Sequence, residues 1–417
     1  MDASRPATPR AQPPGFGEFV VLVAAMLSTQ ALAVDAMLPA LPTIVRELGV
    51  TNANHGQWVV TAYIMGVGLG QLFWGMVSDR YGRRLVLLSG LALYTLASVA
   101  CALSGNFAAL LGWRLVHGLA AASAVVSRSV IRDLYSGRTM ARVMSLTFMI
   151  FLIVPILAPS LGQLILMLAP WRDIFVVFGA FAAAIALWAY LRLPETLHPE
   201  FRLTLTVPHV LSAVRLVLTE RCSLCYTLAV TIMFGSLLSY VGMVQQIFAD
   251  VFHHASWMPA VFALCAISMG AAAYMNSRIV ERLGMRAVSH TALLVFIGIT
   301  AVHASIAVLG LEPLWAFVLL QSATMACYAL TASNFGAMAM EPVGRVAGIG
   351  ASLQGFITTL GGALLGAAIG RQFNGSTLPL AAGALCSGVL SLVIVLLAER
   401  GRLFRPHHPA AAGARTL

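Results

Sequence analysis

GMVSDRYGRR, residues 75–84, places four charges and two glycines between two long apolar runs. The run before it covers about 57–77 and the run after it about 84–104. Each has about the 20 residues that carry an α-helix across a bilayer. The short segment between them therefore reads as a tight turn at a membrane surface, with Gly82 supplying the bend. Runs of this kind recur along the chain, at 18–38, 57–77, 84–104, 108–130, 141–168, 173–193, 222–248, 257–279, 287–308, 313–338, 347–370 and 377–398, twelve in all. Several contain Gly or Pro, which membrane helices tolerate. Barrel strands would be shorter and alternating, so the expected class is all-α and integral to the membrane.

Composition agrees. Only 10% of the 417 residues are charged and the mean hydropathy is +0.88, against about 25% charged residues in soluble domains. The formal charge of +10 invites a nucleic-acid reading, but the placement of the charges excludes it. All 25 basic residues are Arg; with the N-terminus inside, 20 fall in inside segments, Arg46, Arg172 and Arg371 fall outside, and Arg114 and Arg128 lie within the fourth span. This is the positive-inside bias, and it puts both termini in the cytoplasm. Residues 19–33 share features with a secretory signal, but cleavage there would leave an odd span count, so they are retained as span 1. Six scattered Cys read as small apolar residues, and the His253-His254 and His407-His408 pairs as loop residues; no metal or cofactor is expected.

The chain divides into a polar, Pro-rich lead (1–17), six spans (18–193), a central loop with Pro194, Pro199 and Pro208 (194–221), six more spans (222–399) and a tail (400–417). The two halves echo one another. GMVSDRYGRR follows span 2, and SRIVERLGMR (277–286) follows span 8, so that Asp79, Arg80, Gly82 and Arg84 match Glu281, Arg282, Gly284 and Arg286 at an offset of 202. Internal duplication is common in transporters.

The spacing G-x-x-x-D-R-x-G-R-R, carried by Gly75, Asp79, Arg80, Gly82, Arg83 and Arg84, resembles the loop between helices 2 and 3 of the major facilitator superfamily. An Arg cluster alone would satisfy topology but does not require those glycines and that aspartate. The resemblance implies two six-helix bundles around a central cavity. It also implies that Asp79 faces the inner start of helix 11 and holds the inside closed, with Arg128 or Arg132 as further partners. A carboxylate near a helix N-terminus gains about 0.3–1 kcal/mol.

In LLGWRLVHGL (110–119), Arg114 and Gly118 match the helix 4 motif R-x-x-Q-G of drug/proton antiporters, with His117 in place of Gln. Arg114 lies about seven residues, roughly 10 Å, into its helix. It should face the bundle interior, because an unpaired guanidinium in lipid is expensive. His117 is either a satisfied hydrogen-bonding stand-in for Gln or a second titratable group. Pro155, Ala158, Pro159 and Gly162 resemble the helix 5 motif associated with antiport; each Pro removes a backbone bond, and small residues permit close packing. VDAMLPALP (34–42), APWRDIFVVFG (169–179) and LPETL (193–197) resemble the bicyclomycin/chloramphenicol-resistance branch of the twelve-helix antiporters.

Asp35 stands toward the outer end of span 1, at the depth of Arg114 in span 4, and the resemblance makes the two natural partners. Asp173, Asp250 and Glu312 fall at outer ends, which puts the coupling chemistry in the first half. The expected function is proton-coupled export of small drug-like compounds across a bacterial inner membrane, by a monomer driven by the proton gradient. A proton symporter or another proton-coupled transporter of one specific metabolite, and ligand sensing or binding without transport, are the rival readings. Gln30, Tyr63, Tyr240, Gln245, Asn334 and Gln354 are the polar and aromatic candidates for lining the cavity. No nucleotide loop, Ser-His-Asp set or metal-ligand set is present, so neither ATP drive nor an enzyme is expected.

Overall fold

The structure, a computed structural model, describes residues 14–135, 137–197 and 207–404. Most of the lead, part of the central loop and most of the tail lie outside these. The membrane-length helices are α1 (Phe16–Asp35), α2 (Gln57–Tyr81), α3 (Arg83–Ala102), α4 (Phe107–Leu134), α5 (Gly137–Leu168), α6 (Arg172–Arg192), α7 (Arg221–Gln246), α8 (Met258–Leu283), α9 (Met285–Val308), α10 (Leu314–Met340), α11 (Ala347–Gly370) and α12 (Leu378–Ala398). Among the described residues eleven helices are long and apolar enough to cross a membrane, and α5 adds the shorter apolar stretch Ile153–Leu168. There are no strands among the described residues.

The pairing of helices repeats. In the first half α1 packs on α5 and α6, α2 on α4, and α3 on α4 and α6; six helices on, α7 packs on α11 and α12, α8 on α10, and α9 on α10 and α12. The duplication read from one pair of loops is thus a duplicated six-helix unit. "Inner" below means the Arg-rich face, and "outer" the opposite one.

Three sequence features shape the site. Pro39 and Pro42 lack backbone N–H groups, and α1 stops at Asp35. The chain then passes through a turn and a 3-10 turn (Leu38–Ala40) into the short helix Leu41–Glu47. Secondly, α4 begins at Asn106, whose side chain accepts the Ala109 N–H at 2.8 Å. Such a cap fixes where the helix starts, and hence the depth of Arg114. Thirdly, glycines bring α2 and α4 together. A Cβ on Gly66 would stand 2.0 Å from the Leu115 carbonyl oxygen, and one on Gly118 1.8 Å from that of Tyr63. Only glycine allows this backbone approach.

The halves meet where α2 lies along α11 and where α5 meets α8. Their polar links gather at the outer end. Gln57 Nε2 donates to Gln246 Oε1 (2.8 Å) and to the Gly370 carbonyl (3.1 Å), Gln246 Nε2 donates to Asn54 Oδ1 (2.9 Å), and Asn54 Nδ2 donates to the Phe373 carbonyl (3.0 Å). Deeper, Gln71 donates to Thr359 at 3.2 Å. Among the described residues no ion pair joins the halves at the inner end.

Candidate functional site

Arg114 is wholly buried, but its partners differ from the sequence expectation. Nε donates to the Val59 carbonyl (3.0 Å), Nη2 to the Ala33 carbonyl (3.0 Å), and Nη1 lies 3.3 Å from His117 Nδ1. The guanidinium also stacks over Tyr63, 4.4 Å from the ring centroid. Two carbonyls, a ring nitrogen and a π face thus replace the expected carboxylate. The Asp35–Arg114 ion pair is not formed.

Asp35 is 7% exposed, and among the described residues no group donates to its carboxyl. It ends α1 where the helix breaks. The backbone just beyond it is clamped by α5, since a Cβ on Gly162 would stand 2.0 Å from the Ala36 carbonyl oxygen. This gives the helix 5 motif a physical role: Gly162 lets the broken end of α1 seat directly on α5. Pro159 and Ala158 are buried beside it and Pro155 is half-buried, while α5 runs on through both prolines. Tyr63 from the first half and Tyr240 from the second lie within electrostatic reach of the carboxyl group.

His117 lies in a directed chain of hydrogen bonds. Nδ1 faces the Arg114 N–H, so it must accept. Nε2 stands 3.0 Å from Ser98 Oγ, and that hydroxyl donates to the Tyr94 carbonyl at 2.8 Å. The one consistent assignment is neutral imidazole with its proton on Nε2. Tyr94 packs on the ring at 4.0 Å. The stand-in for Gln is the reading this geometry favours.

At the inner end, Arg83 is the hub. It is 4% exposed, with Nη1 2.5 Å from Asp79 and 2.7 Å from Ser78 Oγ, and Nε 3.2 Å from Asp133. Glu195, from LPETL, accepts the backbone N–H groups of Arg83 (2.8 Å) and Arg84 (3.2 Å), capping α3. Gly82 turns the chain with φ +106°. Arg84 donates to the Tyr190 carbonyl at 2.6 Å, and Arg80 is exposed, lying over Tyr81. Gly75 approaches α11 at Ser352. The partner from α4 is therefore Asp133, acting through Arg83, which corrects the expectation of Arg128 or Arg132. Both are exposed and form no ion pair or side-chain hydrogen bond among the described residues. Side chains 344–348, at the start of α11, lie outside the described residues, and with them the expected contact of Asp79.

Of the cavity candidates, several tie helices together. Gln30 donates to the Ala121 carbonyl on α4 (2.9 Å), Asn334 to Asn276 on α8 (2.9 Å), and Gln354 to the Gly336 carbonyl on α10 (3.3 Å). Tyr63 donates to the Gln30 carbonyl (3.3 Å), and Tyr240 donates to Cys265 Sγ (3.4 Å). Gln245 belongs to the outer vestibule.

One feature escaped sequence reading. Glu312, expected at an outer edge, is buried with its Oε1 2.7 Å from His303 Nε2, while the Thr377 hydroxyl donates to its other oxygen. The close nitrogen and oxygen form no hydrogen bond with each other. A His within an apolar span was the available signal.

The sequence pattern of the Major Facilitator Superfamily matches residues 21–366. The MFS-type transporter YdgK of Bacillus subtilis is 31% identical over 81% of this chain and 85% of its own. A bicyclomycin resistance protein homolog of Haemophilus influenzae is 26% identical over 87% and 91%. Among solved structures, a D-xylose-proton symporter superposes with TM-score 0.70 at 14% identity, covering 94% of this chain and 98% of that one.

Proposed function

This chain belongs to the major facilitator superfamily and is a multi-pass membrane transporter, and from that premise we propose that it is a proton-coupled antiporter exporting drug-like compounds across a bacterial inner membrane. Twelve spans with both termini inside, acting as a monomer, complete the reading. The likeness to a bicyclomycin resistance homolog supports the substrate class.

The observation that carries the proposal is Asp35: a buried carboxyl without a donor among the described residues, at the break of α1 and within electrostatic reach of Tyr240 of the opposite half. A carboxyl in such surroundings is much cheaper neutral than charged. When the halves rock and water or a cationic group reaches it, the charged form becomes affordable and the proton leaves. A proton taken up from outside and released inside thus exchanges with a compound moving outward. Arg114 and His117 act by holding α1, α2 and α4 together around that carboxyl. One proton crossing about 100 mV supplies roughly 2.3 kcal/mol. A pH unit adds about 1.4, so one proton sustains roughly a 500-fold gradient of a neutral compound.

The test uses purified protein in liposomes with a pH-sensitive dye inside, an imposed proton gradient, and a panel of antibiotics and cationic dyes. Compound-dependent proton movement lost in Asp35→Asn is the expected outcome. Movement that survives in that variant removes Asp35 from the cycle; no response to any compound moves the reading to a single metabolite. His117→Gln should keep transport and its pH profile, because the amide can replace both of its hydrogen bonds.

A further inference from the structure

Between the outer ends of the two halves lies a cavity of about 500 Å³, within the roughly 300–1,000 Å³ of small-molecule sites. One wall is Leu41 and Val45 of the short helix after α1; the other is the end of α7. Arg46 and Asp250 stand on these opposite walls, both exposed, and among the described residues neither forms an ion pair or a side-chain hydrogen bond. Gln245, 8% exposed, lines the cavity, and its Oε1 has no donor. Gln57 and Gln246, whose amides close the outer seal, are also part of the lining.

We propose that this vestibule is a second binding site, separate from the Asp35 region, for a compact zwitterion with an apolar flank. Its cationic end meets Asp250, its anionic end meets Arg46, and its apolar body lies on Leu41 and Val45. Opposite charges on the two walls suit a ligand bearing both signs and offer one face of mismatch to a simple cation or anion. The walls belong to different halves and are held at this spacing by the Gln57–Gln246–Asn54 bonds. The site therefore exists with the outer end shut, and a ligand in it must leave before the outer end opens. A soluble zwitterion and the headgroup of phosphatidylethanolamine share this chemistry.

Leucyl-phenylalanine is the probe, titrated into the purified full-length protein in phosphatidylglycerol nanodiscs, with its N-acetyl and C-amide derivatives as controls. The expected result is saturable binding, weakened roughly tenfold, the worth of one charge-assisted hydrogen bond, in each of Arg46→Gln and Asp250→Asn. The N-acetyl form should no longer sense Asp250→Asn, and the C-amide should no longer sense Arg46→Gln. Gln246→Ala, which opens the seal, should also weaken binding. No saturable binding, or binding indifferent to either charge, overturns the proposal. Equal affinity in phosphatidylethanolamine nanodiscs assigns the site to soluble zwitterions, and weaker apparent affinity there assigns it to the lipid headgroup. Neither substitution touches Asp35, so a failure of the export reading leaves this test intact.

Discussion

The α2–α3 and α8–α9 turns share a backbone and differ in what they carry. Each pivots on a glycine in the left-handed region, Gly82 at φ +106° and Gly284 at φ +81°. At Gly82 the space for a Cβ is filled by Glu195, 2.4 Å away; at Gly284 nothing lies within 4 Å. Arg83 is buried between Asp79 and Asp133. In the second half Glu281 and Arg282, the counterparts of Asp79 and Arg80, are exposed. There the binding passes to Arg286, 2.7 Å from Glu399, and Tyr226 donates to the same carboxylate at 2.7 Å. Duplication preserved the turn, and the two copies were then loaded differently. The first is a clasp that gathers the loop, the α4 end and the segment after α6 on one arginine; the second gathers the start of α9 and the start of α7 on one carboxylate at the end of α12.

The sharpest way to break this contrast is to remove each hub. Arg83→Ala removes the bonds to Asp79, Ser78 and Asp133 at once, from carboxylates that are partly exposed, and should lower stability by about 3 kcal/mol. Arg286→Ala, with one partner left bonded to Tyr226, should lose clearly less; thermal unfolding in detergent of the two variants side by side measures it. Equal losses would mean the clasp has no special weight. Next come the glycines. Gly82→Ala adds backbone strain and displaces a Glu195 carboxylate already committed to four backbone N–H groups, for about 2–3 kcal/mol. Gly284→Ala meets open space and should show the strain alone, about 1–2 kcal/mol. The smallest effect is with pH. Burial pushes the Glu399 carboxyl up, but its bonds from Tyr226 and Arg286 outweigh that and hold it below the usual carboxylate range. A lowered value stabilises the fold above the ordinary carboxylate range and is lost as pH falls through the lowered one. Glu399→Gln should thus be less stable than the parent at pH 7, with the gap closing in acid; a constant gap would show that packing, not charge, is what the carboxylate supplies.

Much of this was legible in the chain. The apolar runs gave the spans, because a bilayer demands a fixed length. The Arg bias gave the sidedness, because cationic loops stay inside. Gly82 was legible as a turn because a helix cannot continue with that backbone angle. Glu195 was not legible as the cap of α3, since 112 residues separate it from Arg83. Nor did LPETL signal more than a family likeness.

The residues of span 4 show where sequence reasoning stops. Sequence alone determined that Arg114 must be satisfied inside the protein, because lipid offers a guanidinium no acceptor. It also determined that Asp35 would be unusual, as a carboxylate in a span. Whether the two would satisfy each other was decided by tertiary packing. Glycines at 66 and 118 draw α2 and α4 so close, and the break of α1 after Asp35 so frees the carbonyls at its end, that backbone carbonyls reach Arg114 first. Asp35 is left without a partner. Hydrogen-bonding need is a property of a residue type, but which acceptor meets it depends on distances of an ångström or two, set only when the helices close on one another.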